Sequence, residues 1–378
     1  MVNAVRAKRV PAVQSDTVGD ESTRQATVTV EQIIAHRHES THCKYSCATL
    51  CVRPVQQASM NRMRPRSDKF LTSVARGGAD CTNPICFEYH RAGSALENED
   101  MQGDNAWIAL RGIRDEDIPL FSATLLIARD EYPDLAAADY EAQLRAYGER
   151  LRKTLDPTAA AAIQLRTLNE FLFEELGFSG DEQDYYDPRN SYLNEVLDRR
   201  RGNPISLAVV QIELARRLDV ALEGVSFPGH FLVRLPLDDG IVVLDPFQKG
   251  RSLDAAELRR RARTHLDTHD IDDARLARML EPASHRAILT RMLRNLKGVY
   301  AEREQWDKAL RCCDRLLTLD AHQPGEYRDR GQCYLKLGHV RAANEDLRRY
   351  LALMPQAEDA DAVALQLAEI STNVPRLN

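Results

Sequence analysis

The sequence predicts an α+β fold followed by an all-α repeat segment: a helical block, a small antiparallel sheet after it, then paired helices. Three observations carry this. Past residue 104 apolar residues recur at intervals of three and four, as in Ile118, Phe121, Leu125 and Leu126. Around residue 222 the period switches to short runs rich in β-branched residues, "LEGVSF", "HFLVRL" and "GIVVLDPF", broken by Pro-Gly and Asp-Asp-Gly. From residue 284 on, the pattern is helical again and repeats with a period of about 34 residues.

The helical block reads as five helices in order. Asp115 to Asp117 are placed to cap the first. The second fits 136–154, and the third fits 158–177 and ends at Gly177. A short helix over about 189–200 is expected to close at Gly202. The last begins at Pro204, with Asn203 as its cap and proline at the favoured first position. Helices gathered on one side of a small antiparallel sheet make an α+β domain, expected over residues 104–270.

In the C-terminal part Tyr334 follows Tyr300 at the same interval at which Ala343 follows Ala309. Leu296 is matched with Arg330 and Leu316 with Tyr350. Gly331, Gly338 and Pro355 complete one unit, and Lys297 stands where the other unit would have its glycine. Small residues recurring at a helix crossing with this period point to tetratricopeptide (TPR) helix pairs over 284–372, with "EDADAVALQLAEI" as the capping helix. Two units and a cap are too few to stand alone, so they are expected to pack on the α+β domain.

Residues 1–103 read as a mostly disordered tail, rich in Ser, Thr, Arg, Gly and Asn, or as an over-extended start. His42, Cys43, Cys47 and Cys51 lie close together there, but their spacing fits no common zinc knuckle, so no metal and no cofactor is expected. A net charge of −6 over 378 residues gives no footprint for direct nucleic-acid binding. "LRRRARTHL" (258–266) is basic, but it reads as a solvated helix face. No apolar run is long enough for a membrane span, and the N-terminus lacks the apolar core of a signal peptide, so a cytoplasmic protein is expected.

One constellation carries chemistry. A helix start, then a His on a strand, then an Asp on the next strand is the chain order of a Cys-His-Asp site. There a thiolate gains from the helix N-terminus, His takes its proton, and Asp orients the His. His230 and Asp245, facing each other across one hairpin, fill the last two places. No cysteine lies between Cys86 and Cys312. Ser206, in the first turn of the helix, is the candidate nucleophile, or it serves only to bond a free backbone N–H. Likewise His230 either works as a base or simply braces the hairpin through Asp245. Asn190, Asn194, Arg200, Arg201 and Asn203 are candidate ligand-binding residues, because an arginine cluster beside a helix N-terminus suits an anion. Phe227, Phe231 and Phe247 read as core, and Pro228-Gly229 as the turn before His230.

"NSYLNEVLDRRRGNPISLAVVQIELARRL", "GVSFPGHFLVRL" and "LDPFQKG" closely resemble the bacterial family known as regulators of sirC expression, over about residues 106–371. The resemblance implies a transglutaminase-like, papain-like core followed by TPR repeats. It implies Cys, His and Asp at the site. His230 and Asp245 match, whereas the cysteine would fall at Pro204 or within two residues of it. The expected function is therefore a non-catalytic regulatory or interaction role, with a protein or peptide partner held through the TPR helices. The alternative is a hydrolase or acyltransferase using Ser206, His230 and Asp245.

Overall fold

In the computed structural model, which describes residues 104–238, 240–266 and 270–373, the molecule is organised around one helix. The stretch "PISLAVVQIELAR" is apolar on every side, and a helix of that kind has to be covered all round. Every residue from Pro204 to Ala215 is buried. The expected tail and its cysteine cluster lie outside the described residues.

The helices before this centre are α1 (Asp104–Gly112), α2 (Leu120–Arg129), α3 (Ala137–Arg152), α4 (Ala161–Asn169) and α5 (Leu193–Arg199), and the central helix is α6 (Pro204–Arg216). Two short strands, β1 (Ser179–Gly180) and β2 (Arg201–Gly202), pair in parallel beside its start. A four-stranded antiparallel meander follows: β3 (Glu223–Val225), β4 (Leu232–Leu237), β5 (Gly240–Asp245) and β6 (Arg251–Leu253). Two helices, α7 (Ala255–Arg263) and α8 (Asp273–Met279), cover the outer face of the sheet, where Val225, Phe227, Leu232, Val243 and Leu258 form a second core. The other face meets α6 through Phe231, Val233 and Leu235.

The repeat segment is α9 (His285–Glu302), α10 (Trp306–Leu319), α11 (Pro324–Lys336), α12 (Val340–Leu353) and α13 (Ala360–Asn373). The repeat period has a packing cause: a Cβ on Gly331 would lie 2.8 Å from Leu347, so the crossing of α11 and α12 requires the smallest residue. Lys297, in the equivalent place, is bonded at 2.5 Å to Glu326 and at 2.6 Å to Asp329. The first helix pair shares one continuous core with the α+β part, Leu289, Leu293 and Cys313 belonging to the same cluster as Trp107, Leu125 and Val209.

Three local expectations are corrected. Asp115 to Asp117 form a single tight turn rather than the start of a helix, and Pro119 precedes α2 instead. Asp115 serves a distant helix: its carboxylate accepts from His285 N at 3.0 Å and Arg286 N at 2.9 Å, capping α9 from far away in the chain. The third helix does not run regularly to Gly177, because it widens after Asn169 and closes through Leu176 N donating to Phe171 O. The short helix before α6 closes at Arg200, which adopts the left-handed conformation, rather than at Gly202. Gly202 lies in β2 for lack of space: a Cβ there would meet Ser206 Oγ at 2.6 Å and Leu207 at 3.1 Å.

The capping role of Asp115 gives a test. Asp115→Ala leaves two first-turn N–H groups of α9 without their acceptor and should lower stability by about 1–2 kcal/mol in urea unfolding.

Candidate active site

The hairpin of β4 and β5 places His230 against Asp245. Leu232 pairs with Val225 on one side, Val233 pairs with Leu244 on the other, and the left-handed Gly229 (φ 67°) turns the chain just before His230. His230 Nε2 lies 2.8 Å from Asp245 Oδ1. Asp245 is fully buried, at the start of the turn after β5, where the same oxygen accepts from Phe247 N at 3.0 Å and Gln248 N at 3.3 Å. Its other oxygen accepts from Arg261 Nη1 at 2.7 Å. Burial pushes the Asp245 pKa up, but the hydrogen bonds and charges of His230 and Arg261 outweigh it and hold the carboxyl below its ordinary value. A carboxylate at that position requires the N–H on His230 Nε2. The other ring nitrogen, Nδ1, has no hydrogen-bond partner among the described residues.

Arg261 corrects the reading of 258–266 as a solvated face, since one of its arginines is turned inward to hold the site carboxylate. Sequence reasoning missed it because a helix face shows period but not which neighbour it meets.

His230 lines a cavity of about 410 Å³ between the α+β part and α9. On one side lie Asn203, Pro204 and Ile205 at the start of α6, with Ser191, Tyr185 and Tyr186 from the preceding turns. On the other lie Gly229, His230 and Phe231, and α9 closes it with Arg291, Arg294, Asn295, Gly298, Val299 and Glu302. The start of α6 thus faces His230 with a proline and an isoleucine.

Ser206 is elsewhere. It is fully buried and does not line the cavity. Its hydroxyl donates to Asn190 O at 2.7 Å and accepts from Asn203 N at 3.1 Å, while its own N–H donates to Asn203 Oδ1 at 3.0 Å. This is a reciprocal capping box, and it commits both the proton and a lone pair of the hydroxyl. Ser206 and His230 make no hydrogen bond, so the structure does not assemble the expected relay Ser206–His230–Asp245.

The candidate ligand residues separate. Only Asn203 lines the cavity, and it also donates to Ser191 Oγ at 2.9 Å. Asn190 is buried beneath it, donating to Asp184 O at 2.7 Å and accepting from Arg199 at 3.0 Å. Asn194 is buried in α5, with an Oδ1 that finds no partner among the described residues. Arg200 and Arg201 border no part of the cavity, because the chain leaves α5 through the left-handed Arg200 and pairs with β1. The expected arginine cluster is therefore not at the cavity. The cationic residues the structure brings there are Arg291 and Arg294, both supplied from α9 and invisible to motif spacing.

Cys312 and Cys313 are buried in α10, and burial pushes the Cys312 thiol up to about 12. Neither borders the cavity. No group of three or more His, Cys, Asp or Glu side chains suited to a metal occurs among the described residues, and no described helix is long and apolar enough to cross a membrane.

Two outcomes follow from the hydrogen bonding. Ser206→Ala removes the hydroxyl shared by Asn190 O and Asn203 N–H and leaves those two groups only their direct 3.2 Å bond, so it should cost about 0.5–1.5 kcal/mol in urea unfolding. For Asp245 the sign is fixed by its lowered pKa: the folded state holds the proton less tightly than the unfolded one. Its contribution is therefore present above the ordinary carboxyl value of 3.8 and is lost as pH falls through the lower folded value. Asp245→Asn should destabilise by roughly 1–3 kcal/mol at pH 7, and the gap to wild type should shrink when unfolding is repeated near pH 3.

Residues 138–294 match the transglutaminase-like superfamily and residues 296–368 the tetratricopeptide repeat. A UPF0162 protein of Xylella fastidiosa is 55% identical over 265 residues, 70% of this chain and 94% of that protein. UPF0162 protein PA3419 of Pseudomonas aeruginosa is 32% identical over 257 residues, 68% of this chain and 93% of that protein. A shorter stretch is similar to F-box only protein 21 of Mus musculus, 33% identical over 153 residues, 33% of this chain and 24% of that protein. A transglutaminase-like domain joined to TPR helices, with near-full-length relatives at this identity, means that the chain belongs to the UPF0162 family.

Proposed function

We propose that this chain is a non-catalytic regulatory protein that acts by holding a protein or peptide partner. In this reading the transglutaminase-like core keeps the His–Asp pair, lacks a nucleophile, and uses its cavity to bind rather than to react. One observation carries it. The first turn of α6 presents Pro204 and Ile205 to the cavity, while the hydroxyl of Ser206 is spent on Asn190 O, beneath that turn. Proline has neither a nucleophilic atom nor a backbone N–H to stabilise a developing oxyanion.

The repeats support the binding side of the proposal. TPR pairs present a concave surface suited to an extended chain. The first of these helices also forms one wall of the cavity, so a partner lying along the repeats would reach His230 and Arg291 without leaving α9. Any effect on gene expression would pass through such a partner, in the cytoplasm, rather than through contact with DNA.

A hydrolase or acyltransferase built on Ser206–His230–Asp245 is the competing reading. It needs Ser206 to break its capping box, rotate out of a fully buried position and pass Pro204. The discriminating experiment compares wild type, Ser206→Ala and His230→Ala on activated esters, peptide amides and glutamine–amine pairs. The expected result is the same background rate for all three. A rate above background that falls 100-fold or more in His230→Ala would overturn the proposal.

A further inference from the structure

Among the described residues that line the cavity, Arg291 is the one cation whose charge the protein does not answer. It projects from the second turn of α9 and is largely withdrawn from water. Its hydrogen bonds go to carbonyls: Nη2 donates to His230 O at 2.7 Å, and both terminal nitrogens donate to Phe227 O at 3.2 and 3.3 Å. The guanidinium lies over the Phe231 ring, 5.6 Å from its centre. No carboxylate pairs with it among the described residues. Burial pulls its pKa down, opposed by Tyr185. Carbonyls orient a guanidinium but do not neutralise it, and three bonds leave at least two of its five N–H donors uncommitted.

The other charges round the cavity are already matched or distant. Arg294 is paired with Glu326 at 2.9 Å, and Asp187 with Arg189 at 2.5 Å. Asp245 is held by His230 and Arg261. Glu302 borders the cavity, but it lies three turns further along α9, about 16 Å by helical rise. A cation left without a counter-ion in a part-enclosed space costs free energy that an incoming anion recovers.

The anion should be planar and small. Ile205 N–H lies in the first turn of α6 and has no acceptor within the helix. Asn203 sits at the same wall, and the flat guanidinium suits the two oxygens of a carboxylate. From Arg291 to Glu302 the wall is long enough for four or five extended residues, at about 3.3 Å each.

We propose that this cavity binds a carboxylate of a peptide chain, with Arg291 as its counter-ion and the start of α6 and His230 as its opposite wall. The inference rests on the reading of the cavity as a binding site and gives that reading a ligand class. The carboxylate is a chain terminus or an Asp/Glu side chain, and the test separates the two.

The full-length protein, labelled with ¹⁵N in histidine, is titrated with N-acetylglycine, N-acetylglycinamide and N-acetylaspartate amidated at its backbone carboxyl, and the His230 imidazole signals are followed by NMR. A saturable shift is expected with at least one acid, and binding at least tenfold weaker with the amide. Tighter binding of N-acetylglycine assigns a terminal carboxylate, and tighter binding of the aspartate derivative a side chain. Arg291→Lys should retain part of the affinity and Arg291→Gln should lose it. Since Arg291 also braces Phe227 and His230, the acid-to-amide comparison in wild type decides the matter even if the variants fold poorly. Equal response to acid and amide, or none to either acid, overturns the inference and leaves the non-catalytic reading standing. That reading falls instead on His230-dependent turnover of N-acetylglycine p-nitrophenyl ester.

Discussion

The first turn of α6 is the constraint on which the site depends. A helix buried along its whole length cannot leave its N-terminal N–H groups to water, so the protein must supply acceptors. Asn203 Oδ1 takes Ser206 N–H, Ser206 Oγ takes Asn203 N–H, and the serine proton goes to Asn190 O. Gly202 has no side chain because the hydroxyl occupies the space. The same atoms that make the helix start stable are thereby withdrawn from chemistry. A hydroxyl turned toward His230 would give up both of its bonds and leave Asn203 N–H and Asn190 O only the 3.2 Å bond between them.

The His–Asp pair is secured from a different direction. Asp245 accepts two backbone N–H groups of its own turn, the His230 ring and Arg261 from α7. Arg291 ties the His230 loop to α9 through two carbonyls. The pair is thus held by the sheet, by the helix covering the sheet and by the first TPR helix together. Asp115 adds a second tie between the two parts by capping α9, and Arg286 a third through Leu110 O and Ile113 O. One continuous core runs beneath these contacts, so the first repeat pair and the α+β part share their stability and the cavity between them has a fixed wall, while α12 and α13 pack in a separate cluster of Leu347, Tyr350, Val363 and Leu367.

Much of this was legible in the sequence, for identifiable reasons. The repeat period reflects paired helix crossings, one of them so close at Gly331 that a Cβ would meet Leu347, while Lys297 stands at the equivalent place in the other unit. The interval between His230 and Asp245 reflects a two-strand hairpin with little freedom of register. What was illegible is tertiary. Asp115 has the residue type and position of a local cap, and nothing nearby in sequence shows that it serves α9, on the far side of the whole α+β part. Arg261 and Arg291 sit on ordinary amphipathic faces, and only packing reveals that one holds Asp245 and the other borders the cavity. Arg200 and Arg201 looked like an anion site because they precede a helix start. The left-handed turn at Arg200 carries them away from the cavity instead. Ser206 carried two readings because a capping serine and a nucleophile at a helix start are the same residue in the same place.

The account turns on whether the Ser206 hydroxyl is committed to structure. Covalent labelling of the native protein with a fluorophosphonate, read by peptide mass spectrometry, tests this directly, since such reagents capture a serine whose proton a histidine can take. The account predicts no adduct on Ser206 in the folded protein. An adduct on Ser206 that forms in wild type and is absent in His230→Ala would contradict it.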